Sequence, residues 1–189
     1  MQMTPDDDDD LLHAFVFVTH TDDPGINASG LVKKLAGLKP TAGQVRWAGT
    51  FVGDYIVLAH IQASDLDHLQ DFIEGELWDA GVRCTFAIEI QKAGKGTKRS
   101  TPEFIALVSI LTERGRAYEA LEWLDEHQDD IAGFKGASLL LGDVDILLQL
   151  GGETYDDLRD AIVSFEGQEV PGIISTSTSI GNGSRSAFV

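Results

Sequence analysis

The chain has 189 residues, 43% of them hydrophobic, enough to bury one sizeable core or two small ones. Its formal charge of −17, from 31 acidic against 14 basic residues, repels phosphate backbones and anionic lipid headgroups, which disfavours direct nucleic-acid or membrane-surface binding. A single cysteine, Cys84, excludes an internal disulfide.

The N-terminus shows no basic stretch followed by an apolar run. No apolar segment approaches the roughly 20 residues that span a bilayer, so a cytoplasmic protein is expected. Residues 1–11, with five consecutive aspartates from Asp6 to Asp10, read as a disordered acidic tail. They lack the alternate carboxylate spacing and the glycine of a calcium loop. A first domain is expected over residues 12–91. Ala14 to Val18 form a continuous apolar run suited to a buried strand, and Ala28, Leu31, Val32 and Leu35 follow at helical spacing. Gln44 to Phe51 and Tyr55 to Ile61 read as strands. Ser64-Asp65-Leu66-Asp67 opens a helix carrying Leu66, Leu69, Ile73 and Leu77. The last strand alternates, with Val82, Cys84, Phe86, Ile88 and Ile90 on one face and Arg83, Thr85 and Glu89 on the other.

Residues 92–102 are polar, contain Gly94 and Gly96 and close on Pro102, and so read as a linker. The order of periodicities then repeats over residues 103–180. Phe104 to Ile110 is a strand, Ala117, Ala120, Leu121 and Leu124 have helical spacing, Lys135 to Leu141 and Asp145 to Leu150 are strands, Thr154-Tyr155-Asp156-Asp157 caps a helix, and Ile173 to Ile180 closes the unit. Residues 181–189 read as a flexible tail. Thr21 and Thr112, Asp54 and Asp145, Asp65 and Asp156, Gly81 and Gly172, and Thr85 and Thr176 are each 91 positions apart, the signature of a tandem duplication. The expected fold is therefore α+β: tandem ferredoxin-like βαββαβ modules that cover each other as a dimeric α/β-barrel-like pseudo-dimer, with a ligand cleft near the pseudo-twofold axis.

Gly142-Asp143-Val144-Asp145-Ile146-Leu147-Leu148 and Gly172-Ile173-Ile174-Ser175-Thr176 in the second half, and Gly53-Asp54-Tyr55-Ile56-Val57 and Gly81-Val82-Arg83-Cys84-Thr85 in the first, resemble the Lrp/AsnC effector-binding domain. Asp22-Asp23-Pro24-Gly25 resembles the ACT domain instead, but its counterpart, Thr112-Glu113-Arg114-Gly115, lacks the proline. The Lrp/AsnC resemblance implies a stand-alone sensor of an amino acid or related metabolite, an accessory of transcription regulation acting as a homo-oligomer or with a related regulator. The residues before the first strand are too few for a helix-turn-helix, so no DNA binding of its own is expected.

Gly53, Asp54, Thr85, Gly142, Asp145 and Thr176 are the candidate ligand-binding residues. Asp54 and Asp145 precede apolar strands and offer acceptors to a ligand ammonium group or to hairpin backbone, a place that turn chemistry alone also gives to Asp. No catalytic residue, metal site or cofactor is expected. His13, His20, His60, His68 and His127 lack ligand spacing, no nucleophile-base pairing or phosphate loop is present, and Trp47, Trp78 and Trp123 read as core or interface anchors. Two other classes stay open. A structural oligomerisation partner without ligand has a filled cleft, and an enzyme of the ferredoxin-like barrel kind has its site in one.

Overall fold

A computed structural model describes residues 11–38, 43–94, 102–182 and 187–188. The expected acidic tail, apart from Leu11, and most of the expected linker lie outside the described residues.

The first half runs β1 (Leu12–Thr21), α1 (Ala28–Gly37), β2 (Gly43–Val52), β3 (Val57–Ala63), α2 (Leu66–Gln70) and β4 (Val82–Ala93). The second runs β5 (Phe104–Thr112), α3 (Ala117–Glu126), β6 (Phe134–Leu141), β7 (Ile146–Gly152), α4 (Tyr155–Glu166) and β8 (Ile173–Asn182), and a short β9 (Ala187–Phe188) pairs with β2. Helix α2 continues directly as a π-helix over Asp71–Leu77. Side chains close the helix starts. Asn27 Oδ1 accepts from Gly30 N–H at 2.8 Å, Asp65 Oδ1 from His68 N–H at 2.9 Å, and Thr154 and Asp157 form a reciprocal capping box.

The fold is mixed α+β, and its strands close on themselves. The order β3-β1-β4-β6-β7-β5-β8-β2, with β2 pairing back to β3, makes an antiparallel barrel that leaves no edge among these eight strands. Two joints stitch the halves together. At one, β4 pairs with β6 (Ile88 to Leu141). At the other, β2 pairs with β8 (Phe51 to Gly181).

Strand alternation sorts the apolar residues into three cores. On β1, Ala14, Val16 and Val18 face the helices of the first half, whereas Phe15 and Phe17 point into the barrel with Phe51, Leu58, Leu107 and Leu147. Strand β1 is therefore buried on both faces, which is why its sequence reads as an unbroken apolar run. The second half buries Val108, Ile110, Leu121, Leu124 and Phe165 in its own helix-facing core. Each large side chain removed from water stabilises the fold by about 1.5–3 kcal/mol.

Local differences from the sequence reading have physical causes. Leu66, at the start of the helix's apolar spacing, is 50% exposed, and Ile90 is 59% exposed because β4 bulges between Glu89 and Gln91 and turns it outward. Strand β8, with its run of hydroxyl residues, lies between β5 and β2, so Ser179 is buried. Among the described residues no helix is long and apolar enough to cross a membrane.

Candidate functional site

Two loops of the same length carry most of the residues singled out by the sequence. One joins β2 to β3 and holds Gly53 and Asp54; the other joins β6 to β7 and holds Gly142, Asp143 and Asp145. Each begins with a glycine because a strand of the opposite half passes close by. A Cβ on Gly53 would sit 2.5 Å from Ser179 Oγ and 2.9 Å from Ser179 Cα, and its φ of +151° is itself unfavourable for an L side chain. A Cβ on Gly142 would sit 2.7 Å from Ala87 Cβ and 3.0 Å from the Phe86 carbonyl oxygen.

Backbone bonds fix which positions correspond. Phe51 N–H donates to Ile56 O and Ile56 N–H to Val18 O; likewise Leu140 N–H donates to Asp145 O and Asp145 N–H to Ile110 O. Asp145 thus does in its loop what Ile56 does in the other, and the counterpart of Asp54 is Asp143. The two aspartates matched in sequence have different tasks. The Asp145 carboxylate turns into its own half, accepting from Thr112 N–H at 2.7 Å and Thr112 Oγ1–H at 3.0 Å. Asp54 reaches across the joint and accepts from the Ser177 hydroxyl.

A similar slip separates Thr85 from Thr176. Strand β8 bulges at Ile174, where Leu111 pairs with Ser175 and Thr112 with Ile173. Thr85 pairs with Phe17 and Ser177 with Ser109, so Ser177 stands where Thr85 does and Thr176 points to the opposite face.

Of the six candidates, Thr85 lines a cleft. Thr85 and Asp143, the residue after Gly142, line an open cleft of about 270 Å³ together with Gln70, Ile73, Glu74, Trp78, Cys84 and Phe86. Gly53 and Asp54 sit at the other joint, Asp145 braces β5, and Thr176 is exposed. The π-helix forms one wall of the cleft. Trp78 N–H reaches back to Ile73 O as well as Gly75 O, a turn wider than an α-helix allows, and the indole is left 46% exposed at the opening. Gln70 Nε2 donates to Glu74 Oε1 at 3.0 Å. Burial pushes the Cys84 thiol up to about 11 against an opposing hydrogen bond from Trp78, so it stays protonated at neutral pH. Sequence reasoning missed Gln70, Glu74 and Asp143 and assigned Trp78 to a core or interface. Gly75 inside the helical pattern was the one local sign that the α-helix is weak there.

The barrel centre, where a ligand cleft was expected, is filled. Only about 10 Å³ is left, room for about one water, among Phe17, Phe51, Tyr55, Leu58, Leu107, Ser109, Leu147 and Ser179. The Tyr55 hydroxyl titrates above its usual range, chiefly from burial and secondarily from Asp54. At the barrel end His13 Nδ1 lies 3.1 Å from His60 Nε2, and Gln62 Nε2 lies 3.1 Å from His13 Nε2. Burial first, then the neighbouring His13, Lys92 and Arg46, lowers His60 to about 4. Among the described residues no group of three or more His, Cys, Asp or Glu side chains is placed to hold a metal.

No protein-family model and no curated protein matches this chain. Solved structures do. An anthrone oxidase-like protein has a TM-score of 0.63 at 12% identity, covering 95% of this chain and 93% of its own. A chlorite dismutase from Candidatus Nitrospira defluvii in complex with imidazole has a TM-score of 0.60 at 11% identity, covering 90% and 91%. The fold is the dimeric α+β barrel. This corrects the resemblance to the Lrp/AsnC effector-binding domain, and with it the assignment of amino-acid sensing and transcription regulation. The motifs misled because the fold imposes them. Gly81 and Gly172 both adopt φ +72°, and their carbonyls accept from Asp22 N–H and Glu113 N–H in the same turn before the last strand of each half.

Proposed function

We propose that this chain is a small-molecule enzyme of the dimeric α+β barrel kind, with its substrate in the cleft between the π-helix, β4 and the β6–β7 loop. The observation that carries this reading is the cleft itself. It is concave, apolar at its floor through Ile73 and Phe86, and rimmed by the polar groups of Glu74, Thr85 and Asp143 drawn from both halves. Asp143 is the proton acceptor in this proposal, Glu74 the second carboxylate, and Thr85 and Gln70 orient the substrate. The π-turn supports it, since such insertions recur at functional sites. The neighbours' names include an oxidase-like protein and a dismutase. Chlorite itself, an anion, is disfavoured beside Glu74 and Asp143.

The same proposal takes the halves, residues 12–91 and 103–180, as duplicated βαββαβ modules forming a pseudo-dimer in one cytoplasmic chain, one of whose two joints has kept a site. A ligand-free scaffold is the second reading, favoured by the filled barrel centre. A thermal-shift screen of the full chain against a metabolite panel separates the two. A ligand at 100 times its dissociation constant adds about 2.7 kcal/mol of stability. The enzyme reading expects a selective shift that Trp78→Arg, which removes the indole and brings a guanidinium beside Glu74 and Asp143, abolishes, and turnover of the hit that Asp143→Asn lowers by about 10² or more. No shift across the panel, or shifts indifferent to Trp78→Arg, would leave the scaffold reading.

A further inference from the structure

We infer that the cleft takes a small organic cation, an ammonium, amidinium or guanidinium group on a flat apolar body; this rests on the cleft being the binding site proposed above. Among the described residues, the only charged side chains that line it are Glu74 and Asp143, with no Lys, Arg or His among them. Hydrogen-bonding capacity leans the same way, although the Thr85 hydroxyl can also donate. The Gln70 amide donates to Glu74, so Gln70 presents its carbonyl oxygen as a further acceptor. The Cys84 thiol is neutral and adds at most a weak donor. A site with surplus acceptors satisfies them with a ligand rich in N–H groups.

Arg83, two residues before Thr85 on the same face of β4, is already engaged by Asp22. The half-exposed Trp78 indole offers its face to a positive charge, and Phe86 and Ile73 offer apolar contact to the ligand body. A hard divalent ion, which takes six or more oxygen ligands, fits these walls poorly. The volume of about 270 Å³ lies near the lower end of small-molecule pockets, the scale of a single substituted ring. The chain's formal charge of −17 draws cations toward it.

Calorimetric titration of the full chain with benzamidinium, neutral benzamide and anionic benzoate tests the inference. Benzamidinium is expected to bind once per chain and at least tenfold more tightly than benzamide, with benzoate weaker still. Its affinity is expected to fall with added salt and to drop at least tenfold in Asp143→Asn and in Glu74→Gln. Both side chains are exposed, so both variants should keep the wild-type melting curve. Benzamide or benzoate binding as tightly as benzamidinium overturns the cation inference, and loss of that binding in Trp78→Ala would leave the cleft as the site. Absence of binding by all three overturns the inference together with the site on which it rests.

Discussion

The two joints of the barrel are built alike and end differently. At each, a loop led by a glycine presses on a strand of the other half and presents an aspartate to a hydroxyl-bearing position. At the β2–β8 joint Asp54 takes the Ser177 hydroxyl, closing the contact between loop and strand. At the β4–β6 joint the corresponding Asp143 faces Thr85 across an open cleft whose far wall is the π-helix. Pairing and packing are common to both joints. The open volume comes from what is not shared, the widened turn at Asp71–Leu77 and the exposed indole that follows it.

The largest expected effect attacks the shared part. Gly53→Ala and Gly142→Ala should each destabilise the chain by about 2–4 kcal/mol in denaturant titration, Gly53→Ala more, because its φ of +151° adds backbone strain to the clash. Equal costs would mean that strain at Gly53 is relieved.

Acid should weaken the first half through His60. A histidine lowered to about 4 in the folded state, against about 6.5 unfolded, contributes stability that is fully present above pH 6.5 and is lost as pH falls toward 4. Proton linkage puts this loss at about 3 kcal/mol. Stability measured from pH 7 to pH 4 should fall by that much more in the wild type than in His60→Gln.

Next comes the pair of aspartates that the sequence equates. Asp145→Ala leaves the part-buried Thr112 N–H without its partner and should cost about 1–3 kcal/mol, whereas Asp54→Ala breaks an exposed bond and should cost under about 1 kcal/mol. Similar losses would contradict the correspondence drawn from the backbone bonds. The smallest effect is at Cys84, whose alkylation by iodoacetamide at pH 7.5 should be at least tenfold slower than that of an exposed cysteine and should speed up as pH rises.

Much of the fold was written in local patterns. Alternation placed β4 and, apart from Ile90, its apolar face, helical spacing placed Leu31, Leu35, Leu121 and Leu124 in the cores, and the turn residues marked the loops. The site was legible only in fragments. Thr85, which lines the cleft, stood out because strands and turns have simple periods. Glu74 and Trp78 did not, because a π-turn is an insertion that tertiary packing stabilises and that the pattern of Leu69, Ile73 and Leu77 conceals. The pairs Asp54 with Asp145 and Thr85 with Thr176 misled for a related reason. A bulge at Ile174 and the offset of the two loops move residues without leaving a mark in their identities.

The most direct test is to soak crystals of the full chain with a panel of ring-bearing fragments and compare the two joints. The account predicts bound fragments at the β4–β6 joint, stacked on Trp78 and within hydrogen-bond distance of Asp143, and none between Asp54 and Ser177. Fragments at the Asp54 joint or in the barrel centre, with the Trp78 cleft empty, would contradict it.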